Sequence, residues 1–241
     1  MKKVLFNWSG GKDSSLALYH ALQGERYIVT GLLTSFNGAN SRVSMHGTRK
    51  NLVEEQARNI GLELHPLMLP EQVGMEEYDA FMQQALEKHK KKGVRSYIFG
   101  DIFLEDLRAY REQQLQKVDM EAIFPLWQQS TEQLARQFID VGFKAVVVSI
   151  NGSKLDRSFV GREYDSQFLA DLPAEVDPCG EYGEFHTFVY DGPIFDTPVS
   201  FQRGEVVAKT YEQQDDDTHS FQQSGNNNPH PTYFYLDLKS K

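Results

Sequence analysis

The chain has 241 residues, 40% of them hydrophobic, and a formal net charge of −9, with an isoelectric point near 5.3 and a mean hydropathy of −0.51. That length allows one large domain or two modest ones with a substantial core, and the acidic balance disfavours a broad nucleic-acid footprint. No apolar stretch is long enough to span a membrane, and the apolar run after Met1-Lys2-Lys3 breaks at Asn7, too early for a signal peptide. The one cysteine, Cys179, allows no internal disulfide and no thiol pair to carry and resolve a persulfide, so a cytoplasmic address is expected.

The apolar run Val4-Leu5-Phe6 predicts a strand, and Leu16-Ala17-Leu18-Tyr19-His20-Ala21-Leu22 predicts a helix. Between them stands Asn7-Trp8-Ser9-Gly10-Gly11-Lys12-Asp13-Ser14-Ser15. Adjacent glycines let the backbone approach a ligand closely. The first turn of the helix then offers unpaired N–H groups and the positive end of its dipole. Together these make an anion site, with phosphate as the usual occupant. Ser9, Ser14 and Ser15 add hydroxyls, and Lys12 adds a point charge. An ordinary glycine turn feeding a helix is the plainer alternative; the flanking strand, helix and serines weigh against it. The common nucleotide loop G-x-x-x-x-G-K-[ST] does not fit, because Phe6 occupies the place of its first glycine. Ser-Gly-Gly-Lys-Asp-Ser instead resembles the PP-loop of ATP pyrophosphatases, which implies cleavage of ATP between its α and β phosphates.

Further on, Tyr27 to Thr34 reads as a second buried strand, followed by a polar loop over 35–41. Leu52, Val53, Gln56, Ala57 and Ile60 form a helical pattern that stops at Gly61, and Leu62 to Leu67 is a third strand. A long amphipathic helix spans about Met75 to Gly93, with Lys88, Lys90, Lys91 and Lys92 at its end, where they complement the dipole. Val94 to Phe99 is a fourth strand, ending at Gly100-Asp101; Leu104 to Val118 is helical, and Ile123-Phe124 is a short strand. Strand and helix alternate, which predicts a parallel sheet covered on both faces. Ligands sit beyond the carboxyl ends of such strands, so the glycine loop and Asp101 are expected to be neighbours. A boundary falls near Pro125, giving an ATP-binding domain over 1–125 and a smaller α/β domain over 126–241. In the second, Ser130-Thr131-Glu132-Gln133 is a capping box, and Lys144 to Ile150 is a buried strand. Gln213 to Pro231 reads as a mobile surface loop, and Thr232 to Leu238 as an edge strand.

A second constellation is Asp177-Pro178-Cys179-Gly180-Glu181-Tyr182-Gly183-Glu184-Phe185-His186-Thr187-Phe188. Glycines beside carboxylates suit a loop that wraps a polar substrate or its metal-bound phosphates; a tight turn with solvated acids fits the spacing equally well. This stretch, with Ser9 to Ser15, Gly100-Asp101-Ile102 and Pro125-Leu126-Trp127, resembles the diphthine–ammonia ligase family of PP-loop ATPases over nearly the whole chain. The resemblance implies a HUP-like parallel sheet with helices on both faces, carrying ATP, and a smaller C-terminal α/β domain across a cleft. It also implies an ATP-dependent, amide-forming ligase: a carboxylate is adenylated with release of pyrophosphate, and ammonia then displaces AMP. The chain is expected to depart from eukaryotic members in lacking their appended C-terminal domains. Met45-His46-Gly47-Thr48-Arg49 and the segment from Asp101 to Arg108 look like a bacterial branch, some relatives of which are associated with corrinoid salvage. The acid therefore stays open: diphthine, a corrinoid-related acid or another.

Within that resemblance, the amides of Gly10 to Ser14 and Lys12 would stabilise the departing pyrophosphate. Mg²⁺ bridging the phosphates would be held by Asp13 or Asp101, directly or through water, unless Asp13 merely caps its helix and Asp101 closes a turn. Adenine would lie near Leu33, Thr34 and Ser35, with Gly100 beside the nucleotide. Glu181, Glu184 and His186 are the substrate-side candidates, to orient ammonium or accept a proton as ammonia attacks; a histidine fixed in a turn is the alternative for His186. His46 and Arg49 would meet an anionic substrate, or Arg49 lies on an exposed helix face. Arg108 and Arg111 either join them or pair with Glu105 or Glu112. Cys179 reads as a small packed residue, and no His/Cys cluster has zinc spacing, so no structural metal is expected. The partners implied are ammonia and a carboxylate borne by a small molecule or a protein; a homo-oligomer is compatible, and no membrane partner is expected. A tRNA-modifying PP-loop enzyme and a non-catalytic adenine-nucleotide-binding regulator are the competing readings.

Overall fold

Residues 1–44, 46–210 and 231–241 are described by the computed structural model. Strand β1 (Lys2–Asn7) stands at the centre of the first sheet. Its consecutive residues Val4, Leu5 and Phe6 are all fully buried, as a parallel strand covered on both faces requires. Val4 and Phe6 enter one core cluster and Leu5 another. β1 pairs in parallel with β2 (Tyr27–Asn37) on one side and β5 (Ser96–Ile98) on the other. β4 (Leu64–Leu69) pairs in parallel with β2, and β6 (Glu121–Ile123) with β5. The helices between them are α1 (Lys12–Gln23), α2 (Lys50–Ile60), α3 (Met75–Lys91) and α4 (Glu105–Lys117). The chain thus builds outward from β1 to one side and then crosses to the other. Strand order reverses at β1, whose carboxyl end carries the glycine loop.

The expected alternation is present, with two instructive differences. β2 does not stop at Thr34: it runs to Asn37 and folds back through β3 (Arg42–Val43), antiparallel, where a polar loop was expected. Phe36 is fully buried there, and Asn37 Oδ1 accepts the Ala39 and Asn40 amides at 3.0 and 3.2 Å, so the asparagine builds the turn. Helix α2 ends as expected at Gly61, whose φ of +77° permits the left-handed cap.

In the second half, α5 (Thr131–Asp140) starts at Ser130, whose hydroxyl accepts the Gln133 amide. A four-stranded antiparallel sheet follows in the order β8-β7-β10-β9, formed by β7 (Lys144–Asn151), β8 (Phe185–Asp191), β9 (Phe201–Thr210) and β10 (Thr232–Ser240). A short helix, α6 (Ser166–Asp171), lies between β7 and β8. β10 was expected at an edge, but it lies inside the sheet because β9 covers it. The expected loop over 213–231 lies, except for Pro231, outside the described residues.

The main core does not stop between the sheets. One cluster joins Leu16, Ala17, Leu18 and Ala21 of α1 to Phe6 on the parallel side and to Phe138, Val147, Phe185 and Val189 on the other. Helix α1 is therefore shared by both sheets. Among the described residues, no helix is long and apolar enough to cross a membrane.

Candidate active site

The glycine loop is bolted in place from both halves. Trp8 N–H donates to Leu33 O at 3.0 Å and Trp8 O accepts the Thr34 hydroxyl at 2.6 Å, which ties the loop's start to β2. Leu33 and Thr34 are buried in the sheet, one strand away from the loop, and Ser35 is half-buried. Gly10 has φ +79°, and a Cβ on it would stand 2.5 Å from Gln56 Oε1. Only glycine fits there. Gln56, fully buried on α2, donates to Gly10 O at 2.9 Å and to Val189 O at 2.6 Å, and accepts the Trp8 indole N–H at 3.1 Å. Val189 N–H of β8 also donates to Gly10 O, at 2.9 Å.

Hydroxyls set the first turn of α1. Ser14 and Ser15 both donate to Gly11 O at 2.9 Å, and Ser9 Oγ lies 3.0 Å from Ser14 Oγ while accepting the Gly11 amide at 3.2 Å. Thr187 of β8 accepts the Lys12 amide at 3.0 Å. The Gly10 and Ser14 amides take no partner among the described residues. Gly100, at the end of β5, presses on this turn: a Cβ there would stand 3.0 Å from Ser14 N. The expected proximity of the β5 end to the glycine loop is thus present.

Lys12 does not reach outward. Its ammonium is 2.7 Å from both oxygens of Asp13 and donates to the Cys179 carbonyl, with the Phe185 and Tyr164 rings 5.5 and 5.9 Å away. Burial opposes its charge, but Asp13, Cys179 and Glu181 more than offset this, so its pKa is raised and it stays protonated. Burial raises the Asp13 carboxyl; Lys12 opposes that and Asp177 reinforces it. Asp101 forms a two-point ion pair with Arg111, at 2.8 and 3.1 Å. Glu181 is largely enclosed; burial first, then Asp13 and Asp101, push its carboxyl up to about 8 against the pull of Lys12 and of the Ile102 amide.

The 177–184 loop uses its own acids as scaffolding. Asp177 Oδ1 accepts the Cys179 amide at 2.8 Å and the Glu181 amide at 3.4 Å. Glu184, buried, accepts the Asp177 and Tyr182 amides at 3.2 and 3.0 Å, one on each oxygen. The structure therefore brings Glu181 to Lys12 and Asp13, but turns Glu184 into its own loop. Cys179 is packed as expected; burial holds its thiol far above the usual range, and Sγ contacts Thr131 O at 3.3 Å. The His186 ring lies 4.5 Å from that of His46, tilted against it, and His46 in turn touches Gly11. Arg49 turns to Asp237 on β10, at 2.9 Å on each oxygen, with Arg42 beside it at 2.7 Å. Arg108 pairs with Glu112 at 2.7 Å.

Two positioning groups escaped the sequence reading. Gln56 sat within the helical pattern without a role; the signal was a carboxamide on an otherwise apolar stripe beside Val53 and Ala57. Thr187 carried no distinguishing sign.

These features suit a phosphate group: amides at Gly10 and Ser14 without a partner among the described residues, and three hydroxyls. For a divalent cation the fit is narrower. Among the described residues no three His, Cys, Asp or Glu side chains gather in a metal-holding group, and Asp13 and Asp101 are each already ion-paired. Magnesium commonly takes only one or two carboxylates together with substrate phosphates, so such a set still accommodates it.

Comparison with known proteins bears on the family. The family profile "Diphthamide synthase N-terminal domain" matches residues 1–122, and "Diphthamide synthase C-terminal domain" matches residues 130–216. The chain belongs to the diphthamide synthase family. Proteins similar to this family member include the human "Diphthine--ammonia ligase", 28% identical over 139 residues, covering 56% of this chain and 52% of the human protein. The bovine protein of the same name is 27% identical over the same length. The Schizosaccharomyces pombe protein is 23% identical over 225 residues, which is 85% of this chain and 37% of the yeast protein. The chain spans about half the length of the mammalian relatives it matches. The matched family profiles contain both the glycine loop and the 177–187 segment.

Proposed function

We propose that the protein is an ATP-dependent amide-forming ligase, activating a carboxylate by adenylation with release of pyrophosphate and passing it to ammonia. The observation that carries this reading is the meeting of the first turn of α1 with the acid-rich 177–187 segment at the point where strand order reverses. The Gly10 and Ser14 amides and the serine hydroxyls would hold the phosphates in line for attack. Mg²⁺, accompanying the phosphates, would share Asp13 or Asp101 and supply the positive charge that Lys12 does not. Lys12 keeps the two segments together. Glu184 and Asp177 fix the shape of the loop, which leaves Glu181 as the carboxylate that takes the proton shed by the attacking nitrogen. A carboxyl near 8 is poised for that work.

Incubation with ATP, ammonium and a panel of carboxylic acids tests the reading. Pyrophosphate release that depends on one acid is expected; orthophosphate alone would overturn it. At fixed free ammonia, turnover should rise about tenfold per pH unit and level off above about 8, as Glu181 loses its proton. Glu181→Gln should remove that rise. The same carboxyl has a stability signature of definite sign. The native state retains a proton that the unfolded chain releases from about 4.5 upward, so its contribution to stability falls as pH rises toward about 8.

A further inference from the structure

The site reserved for phosphates offers little free positive charge. Lys12 is engaged by Asp13 and the Cys179 carbonyl, and Glu181, Asp101 and Asp177 crowd the same region. Arg111 is held by Asp101. Two imidazoles are able to become cations here: one touches Gly11 and the other lies against the first. His46 comes from the segment between β3 and α2, and His186 from β8. Their rings stand 4.5 Å apart with a 33° tilt, and a Cβ on Gly11 would lie 2.8 Å from His46 Cε1, so His46 touches the glycine itself.

The state of each ring follows from its surroundings. His46 Nδ1 lies 3.4 Å from the Thr187 carbonyl. A carbonyl only accepts, so the ring's proton sits on Nδ1 and Nε2 keeps its lone pair. Burial lowers His46 to about 4, with Lys12 acting the same way and the Thr187 carbonyl opposing. His186 is pulled well below its ordinary value by burial, then by His46 and Lys12. Among the described residues, no carboxylate is one of the groups acting on either ring. Both imidazoles are therefore neutral at physiological pH, and an anion on this side of Gly11 would supply the stabilisation that is missing.

We propose that the His46–His186 pair is the wall of the anion site that becomes cationic on demand: a polyphosphate bound at the entrance of α1 draws one proton from solvent onto Nε2 of His46. The proposal rests on the nucleotide reading above. One proton leaves the buffer, one N–H bond forms, and no other bond changes. His46 receives it because the Thr187 carbonyl steadies its Nδ1–H as the ring becomes cationic. His186 stays neutral, since a second cation 4.5 Å away would repel the first. Proton uptake makes the anion bind more tightly as pH falls, by about tenfold per pH unit where uptake is complete. A second imidazole pair provides an internal control. His65 on β4 and His89 on α3 lie 4.4 Å apart, near Glu63, Lys88 and Lys92, and away from Gly11.

The test is calorimetry of the full chain with ATP at about pH 7.5, where the nucleotide's phosphates are largely ionised, in buffers of differing ionisation enthalpy. Roughly half to one proton should be taken up per ATP bound. His46→Gln should abolish the uptake and flatten the pH dependence of affinity. In the unmodified protein, NMR of the histidine Cε1–H groups should show His46 moving to the imidazolium position at ATP saturation while His65 and His89 stay. Binding with buffer-independent heat and an unmoved His46 would overturn this proposal alone. Failure to bind ATP in any buffer would remove the nucleotide reading, and this proposal with it.

Discussion

Two glycine-bearing loops meet at the entrance of α1, and they use their amides in opposite ways. The 9–15 loop leaves the Gly10 and Ser14 amides without partners among the described residues. The 177–184 loop spends its amides inwardly: those of Asp177 and Tyr182 on Glu184, those of Cys179 and Glu181 on Asp177. Similar composition thus leaves two donors unspent in one loop and builds a self-satisfied frame in the other. The lesson concerns the acids. Three carboxylates close together in sequence are not three equivalent substrate ligands; two are framework, and Glu181 is left facing Lys12, Asp13 and Asp101.

The hardest test of this contrast is the bond between the loops. Lys12→Ala would strip Asp13 of its partner and release the Cys179 carbonyl, and should cost about 3–5 kcal/mol of stability, the range for breaking a buried pair. Urea unfolding measures it; a loss below about 1 kcal/mol would mean that Lys12 does not join the two segments. The next test separates framework from function. Glu184→Ala leaves two backbone amides unsatisfied and should cost about 2–3 kcal/mol, whereas Glu181→Ala should abolish turnover without destabilising the fold, because the enclosed carboxyl itself costs stability above about pH 4.5. Equal destabilisation by both variants would erase the distinction drawn here. The smallest expected effect is at the seam. Thr187→Val keeps the shape but removes the acceptor of the Lys12 amide, for a loss of about 0.5–2 kcal/mol, as for a lost helix cap, with ATP binding weakened several-fold in a direct titration.

Local pattern made the parallel half readable. Val4-Leu5-Phe6 running into Gly10-Gly11 and then into Leu16-Ala17-Leu18 is a strand, a loop and a helix by neighbouring residues alone. The site was less legible, because its decisive bonds join distant positions. Lys12 and Thr187 are 175 residues apart, Gln56 and Val189 133 apart. Arg49 read as an anion ligand or a bystander, and its partner Asp237 lies 188 positions away. β9 escaped notice for another reason. Gln202, Arg203, Glu205 and Lys209 interrupt it, most of its residues are exposed, and among the described residues it is pairing with β10 that keeps it extended.

Because α1 belongs to the cores of both sheets, whatever grips its first turn is coupled to the cohesion of the entire polypeptide. A ligand bound there stabilises by its affinity and concentration, so heating should show a single cooperative melt that moves upward as a whole. Thermal-shift screening of carboxylic acids in the presence of ATP then becomes a practical route to the unknown acid, needing no prior assay of turnover.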